Sequence, residues 1–386
     1  MKIIIQILSS ITFFLLFACC TTGKKQEKDS SKINLIHIPI QTDEAHLSPD
    51  SLFDGKEIIA LETTSESLIS SIDKIQIKDS VLYILDDTQD IIFLFNHQGK
   101  YLQKINHIGR APNEYYHISD FHIDDTTLYV VAGGNQKILC YDLTGNFLKS
   151  FNTDYPCDRI TTDSAYIYIY YNFSHPDGHN VGIYNKQKLQ LHKRYKSYPR
   201  QQAGIGNNTR CWVSFDNKVF ASFPYEYNIY QLSPDTCKII NQLDYGKNYM
   251  FPKNWKNFSP LQEKNYILRT GGIENSPIIY SCHSLFQTST HIIFTFIYKC
   301  HLHIALINKT NNTVQYGILW PNSYYWNVHG LNPVYISDEY MIASCKSALI
   351  INYRNIKGLC KETIKEFSLK ITNEDNPCLY FYKLRK

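Results

Sequence analysis

The chain repeats itself. Displaced by 46 residues, the stretch from Asp79 meets the stretch from Asp125. Leu82-Tyr83 then falls on Leu128-Tyr129, Ile92 on Ile138, Phe95 on Tyr141, Gly99 on Gly145, Tyr101 on Phe147 and Leu102 on Leu148. Upstream, Ile75 and Ile77 fall on Phe121 and Ile123. Each copy reads strand, Asp-led turn, strand, polar turn, strand, Gly turn, strand. The strands alternate or run apolar over short stretches, the pattern of a sheet packed on both faces. Gly99 and Gly145 stand where a tight hairpin needs positive φ. One such unit cannot bury both faces alone, so it must stack against copies of itself.

Four weaker copies follow: residues 165–170 with 181–184, 219–223 with 228–232, 292–297 with 303–307, and 340–344 with 379–383. Six units predict an all-β fold, a six-bladed β-propeller of four-stranded antiparallel blades. Ile58-Ile59-Ala60-Leu61 is a lone strand ahead of the first unit, and the last unit lacks an outer strand. The expected closure puts that N-terminal strand outside the last blade, removing two edges. Residues 361–369 (KETIKEFSL) carry helical spacing and are expected as an insertion in the last blade. Composition agrees: 30 Tyr, 20 Phe and 4 Trp favour strands, and 44% hydrophobic against 19% charged residues excludes disorder. Tyr83 with Tyr129, and Tyr101 with Phe147, are expected to fill the wedges between sheets.

The N-terminus reads as a processing signal. Met1-Lys2 precedes an apolar stretch, 3–18, too short for a comfortable span. It ends in Leu16-Phe17-Ala18-Cys19, which resembles the bacterial lipobox, so Cys19 is the expected lipidated residue. An ordinary secretory signal with a nearby Cys is the competing reading. The domain plan is therefore 1–18 signal peptide, 19–50 lipidated Cys and polar tether, and 51–386 propeller. The expected partner is the membrane, through the lipid, at the outer membrane. The tether lacks an acidic run, which favours the periplasmic side over the cell surface. Net charge is +4, or +3 once Lys2 is removed, and is scattered, so no nucleic acid is expected. Of 11 Cys, nine remain beyond Cys19 and Cys20. They are odd in number, irregular in spacing and without CxxC. They read as small core hydrophobes, with room for one or two bridges.

The segment 105–123, INHIGRAPNEYYHISDFHI, carries a family resemblance. It is similar to the TolB-like six-bladed propeller lipoproteins of Bacteroidetes, close to NHL-type propellers, whose pattern is I-G-x-G-P-x-E-Y. Ile108-Gly109, Pro112, Glu114 and Tyr115 match, and Ala111 replaces the second Gly. Leu61-Glu62-Thr63 and Asn376-Pro377-Cys378-Leu379 also resemble the family. The resemblance is strong in the first two units and loose over 174–332. It implies a fold and a compartment more than an activity. Asp79-Ser80-Val81, Asp125-Thr126-Thr127 and Asp163-Ser164-Ala165 resemble the O-glycosylation motif of exported Bacteroidetes proteins. The same residues make Asx turns.

In a propeller, connections from one blade's outer strand to the next blade's inner strand converge at the channel mouth, where ligands bind. Of eight Arg, five (Arg110, Arg159, Arg200, Arg210, Arg269) fall in or beside such connections. A guanidinium suits a carboxylate, phosphate or sulfate held by two parallel hydrogen bonds. The expectation is a binding or scaffold module whose mouth takes an anionic or polar ligand, such as an acidic glycan or a peptide, or an outer-membrane protein partner. Its candidate residues are Arg110, Asn113, Glu114, Tyr115, Arg159, Arg210 and Arg269. The competing reading is structural: the arginines join blades, Glu114 caps amides and Tyr115 packs between sheets. The alternative function is a propeller lyase or hydrolase with a metal or His/Tyr/Arg site at the mouth. His107, His117 and His122, and the pair His301 and His303 with Cys300 or His283, are the imidazoles it would draw on. Zn or Cu could use the His301 and His303 pair, but it reads as a surface strand with no acidic partner near in sequence. The spacing of His107, His117 and His122 fits no metal signature, so no metal ligand, catalytic residue or cofactor is assigned. GxSxG, HExxH and P-loop motifs are absent.

Overall fold

The computed structural model describes residues 33–40, 46–133, 136–197, 210–224, 226–255, 258–271, 276–279, 282–299, 301–319, 332–353 and 370–385. Two strands and a short helix come first: β1 (Asn34–His37), α1 (Pro49–Leu52) and β2 (Phe53–Ala60). Blade one is β3 (Lys74–Lys78), β4 (Val81–Asp86), β5 (Ile91–Asn96) and β6 (Tyr101–Ile105). Blade two is β7 (Ile118–Ile123), β8 (Leu128–Ala132), β9 (Lys137–Tyr141) and β10 (Phe147–Asn152). Blade three is β11 (Arg159–Thr162), β12 (Tyr166–Tyr170), β13 (His179–Asn185) and β14 (Leu191–Ser197). Blade four is β15 (Trp212–Phe215), β16 (Lys218–Ala221), β17 (Asn228–Leu232) and β18 (Cys237–Asp244), followed by α2 (Pro260–Arg269). Blade five is β19 (Cys282–Gln287), β20 (His291–Tyr298), β21 (His301–Asn308) and β22 (Val314–Gly317). Blade six is β23 (Asn332–Ile336), β24 (Tyr340–Cys345) and β25 (Cys378–Leu384), with α3 (Ser347–Tyr353) inserted before β25.

The expected six-bladed propeller is the observed fold. Each blade is a four-stranded antiparallel sheet, and the inner strands neighbour one another in the order β3, β7, β11, β15, β19, β23 and back to β3. Closure is as expected: β2 pairs with β25 over Phe53–Ala60 and supplies the missing outer strand of blade six. One strand was not legible. β1 lies in the stretch assigned to the tether, yet pairs in parallel with β18 as a fifth strand of blade four, burying Ile36. Four residues are too few to show a period.

The core is six wedges, one between each pair of successive blades. Tyr83, Leu85 and Leu94 meet Phe121, Val130 and Tyr141 between blades one and two. Ile59, Leu379 and Phe381 meet Ile84, Phe93 and Phe95 across the closure. Each fully buried aliphatic or Phe side chain contributes about 1.5–3 kcal/mol, so the ring is held by packing. Tyr83 and Tyr129 are buried as expected, but Phe147, on an outer strand, is 37% exposed. Six of the seven described cysteines are buried, in keeping with small core hydrophobes. Cys345 and Cys378 face each other across β24 and β25 without a bridge. Asp163 makes the Asx turn, accepting from the Ala165 and Tyr166 amides, whereas in blade two Asp124 rather than Asp125 does so. Cys19, Arg200, Cys300 and the stretch 361–369 lie outside the described residues. Among the described residues no helix is long and apolar enough to cross a membrane.

Candidate functional site

The shift that reveals the repeat also decides which inner-strand residues meet. It lays Lys74 on Asp120 and Gln76 on His122, and period-2 alternation turns both pairs into the channel. Lys74 Nζ donates to Asp120 Oδ1 at 2.7 Å and to the Phe121 carbonyl at 2.6 Å. Asp120 Oδ2 accepts from the Ile160 amide at 3.0 Å, so one carboxylate ties blades one, two and three. Burial pushes the Asp120 carboxyl up, but Lys74 and Arg159 outweigh it and hold it below its ordinary value. Burial pulls Lys74 down against the raising effect of Asp120.

Arg159 opens β11 and is 5% exposed. Its Nη1 donates to the carbonyls of Ser119 and Asp158 at 2.8 and 2.9 Å and lies 3.4 Å from Asp158 Oδ2. Arg210 stands two residues before the start of the blade-four inner strand. Its amide donates to the His283 carbonyl at 2.8 Å, and its own carbonyl accepts from the Leu285 amide at 3.2 Å. That parallel bridge to blade five fixes the backbone and places Arg210 in the channel wall beside Arg159. Burial, then the neighbouring Arg159, pull its pKa down. A guanidinium nonetheless stays charged. Its ion-pair contact is Asp73 Oδ1 at 3.9 Å, beyond hydrogen-bond reach, and its Nη1 is buried without a hydrogen-bond partner. Leaving such a group unpaired costs about 1–3 kcal/mol or more, which an incoming oxygen would recover.

These cations line a cavity of about 940 Å³ running along the inner strands. Asp73, Asp87 and Asp158 stand around the same cluster. Burial and the hydrogen bond to Asp73 push Asp87 up to about 6, and burial raises Asp158 against the pull of Arg159. At the other ends of the inner strands the cations are taken: Lys78 pairs with Asp125 at 3.0 Å and Lys186 with Asp124 at 2.8 Å. The arrangement offers one guanidinium with an open N–H, a second beside it, and acids able to accept from a ligand's hydroxyl or ammonium groups.

Of the residues singled out in the sequence, the structure brings Arg159 and Arg210 together and leaves the others elsewhere. Arg110 is exposed, its guanidinium 5.6 Å from the Tyr116 ring centre. The Asn113 carbonyl accepts from the Tyr141 hydroxyl at 2.9 Å. Glu114 turns back on its own loop, accepting from the Ala111 amide at 2.7 Å; a Cβ on Gly109 would sit 2.0 Å from its Oε2. Tyr115 is fully buried; its hydroxyl donates to the Ile105 carbonyl at 3.3 Å and accepts from the His107 amide at 3.1 Å. The I-G-x-x-P-x-E-Y pattern is thus a loop geometry. Arg269 is exposed at the end of α2.

The histidines singled out in the sequence do not gather around one point. His107 stacks on Tyr141 at 5.0 Å, His117 Nδ1 lies 2.6 Å from Asp90 Oδ1, and His122 and His283 line the channel. Burial pulls His122 down to about 3 and His283 to about 4. His301 and His303 are buried, not on a surface strand, and His303 stacks on Phe296 at 5.2 Å. Sequence reasoning missed Lys74, Asp73, Asp120 and Asp158, although the shift already laid Lys74 on Asp120.

Comparison with known proteins agrees with the fold. A family model described as a domain of unknown function, DUF4934, matches residues 33–383. The structure superposes on a protein of Bacteroides fragilis described as exported, with a TM-score of 0.75 and 16% identity, covering 92% of this chain and 100% of that one. It also matches a member of the DUF4221 family from Bacteroides vulgatus, with a TM-score of 0.51 and 9% identity over 86% of this chain and 97% of the other. No curated protein matches.

Proposed function

From the premise that this chain belongs to the DUF4934 family, we propose that it is an exported binding module. Its propeller holds a carboxylate-bearing ligand, a sugar acid or a peptide carboxylate, in the central channel. The observation that carries this reading is Arg210: a half-buried, charged guanidinium whose buried Nη1 is unpaired, beside Arg159, on the wall of a cavity large enough for such a ligand. Arg210 and Arg159 take the carboxylate; Asp73 and Asp158 take donors on the remainder of the ligand. Export is supported by the leader-like residues 1–18 and by the description of the Bacteroides fragilis relative. Lipidation at Cys19 and residence at the outer membrane complete the proposal.

The test is calorimetric titration of the wild type and Arg210→Ala with uronic-acid oligosaccharides and with peptides carrying free or amidated C termini. Binding to one class is expected, weakened by salt, and lost at least about tenfold in the variant with little change in Tm. Retained affinity in Arg210→Ala, or a large fall in Tm without loss of binding, would overturn it.

A further inference from the structure

Blade three carries a second cluster, distinct from the arginines. Its β12–β13 connection has eight residues, 171–178, where the β4–β5 connection of blade one has four. The added length spells His175-Pro176-Asp177-Gly178 and leads directly into His179. The loop is pinned. Asn172 and Phe173 both adopt positive φ, and the Phe173 amide donates to Asn180 Oδ1 at 2.7 Å. Ser174 Oγ donates to the Pro156 carbonyl at 3.0 Å, and the Gly178 amide to the His175 carbonyl at 2.9 Å.

On this frame one donor atom each from His175, Asp177 and His179 lies within 4.8 Å of the others. The His175 and His179 rings meet edge-on at 5.5 Å. His175 is oriented from behind: Nδ1 accepts from the Asp177 amide at 3.2 Å, which leaves the proton on Nε2, 3.5 Å from Asp154 Oδ2. Asp154 is itself fixed by Tyr171, Tyr184 and Arg194. A carboxylate behind a ligating imidazole is the arrangement that sets tautomer and ring angle in metal sites. Independently, Nδ1 of His179 is buried without a hydrogen-bond partner in the protein.

We propose that His175, Asp177 and His179 bind one first-row divalent cation, with Zn²⁺ suited to this set and a fourth position left to water. Two imidazoles and one carboxylate are the donors such ions take, at bond lengths of about 2.0–2.2 Å. Tetrahedral donors are then about 3.4 Å apart, so a movement of roughly an ångström closes the site. The weak amide contact to His175 Nδ1 is what the ion displaces. This site does not depend on the anion reading, although Asn172 Nδ2 donates to Asp158 Oδ2 at 3.2 Å and so links its loop to the arginine cluster.

The experiment uses untagged full-length protein stripped with EDTA, titrated with Zn²⁺ by calorimetry and with Co²⁺ by visible absorption. One equivalent should bind, with Co²⁺ d–d bands and no sulfur charge-transfer band. His175 is buried and its variant could fail to fold, so the variants are Asp177→Asn, which is exposed, and His179→Gln. Each should weaken Zn²⁺ binding at least about tenfold while the metal-free Tm stays near wild type. Absence of stoichiometric binding, or wild-type affinity in both variants, would overturn the site.

Discussion

Replacing Gly99 by Ala tests the ring closure. Gly99 turns the β5–β6 hairpin at φ +81°, and its carbonyl accepts from the Glu62 amide at 2.8 Å, just beyond the closing strand β2. A Cβ there would sit 2.2 Å from the Ala60 carbonyl oxygen and 2.7 Å from Ile59 Cγ2. The first of these is backbone and cannot rotate away. Left-handed φ costs a non-glycine residue roughly 1–2 kcal/mol, and displacing packed backbone adds about 1–3 kcal/mol. Gly99→Ala should therefore lose about 2–5 kcal/mol in urea unfolding. Gly55→Ala is the control, since β2 also contains Gly55 and a Cβ there meets nothing within 4 Å. It should stay within about 0.5 kcal/mol of wild type. Equal effects of the two substitutions, or a Gly99→Ala protein as stable as wild type, would refute the account of the closure.

Three further outcomes follow from the same structure. Asp120→Ala strands Lys74 in a buried wall next to Arg159 and should cost about 3–5 kcal/mol by denaturant unfolding; a cost below about 1 kcal/mol would mean the pair is dispensable. His122 and His303 have folded values of about 3 and 4, below their ordinary value, so the unfolded chain binds protons first. Their stabilisation is whole above about pH 6.5 and is lost as pH falls toward those values, at about 1.4 kcal/mol per pH unit per histidine. Asp87, raised to about 6, acts in the opposite sense and offsets part of this. Unfolding curves at pH 7, 5.5 and 4.5 should show falling stability; a flat or rising profile contradicts the burial of these rings. Cys19→Ala should move the protein from the membrane to the soluble fraction on cell fractionation, and continued membrane residence would count against the lipid anchor.

The fold was legible because a propeller writes its architecture as a repeat, and the apolar runs in β4, β5, β8 and β9 are carried by residues that bury. Closure by β2 followed from counting strands. What escaped was either short or non-periodic: β1, and α2 between blades four and five, whose Ser259 cap lies in a stretch without strand repeat. At the site, scarcity of arginine pointed to Arg159 and Arg210, and the structure places both in the channel wall. It could not separate them from Arg110 or Arg269, because exposure depends on how loops fold over the mouth. Glu114 and Tyr115 drew notice through a recurring motif, yet their contacts are with Gly109, Ala111 and Ile105, so the motif describes a turn. His175, Asp177 and His179 passed unnoticed because their spacing resembles no familiar metal signature, and only the eight-residue loop brings them within reach of one ion.

The claim that the channel wall is a carboxylate site is tested most directly by a crystal structure grown with an acidic oligosaccharide or peptide that binds in solution. The account predicts the ligand carboxylate within about 3 Å of Arg210 Nη1, with Arg159 beside it and Asp73 or Asp158 accepting from its donors. A ligand seated away from Arg210, with that guanidinium still unpaired, would contradict it.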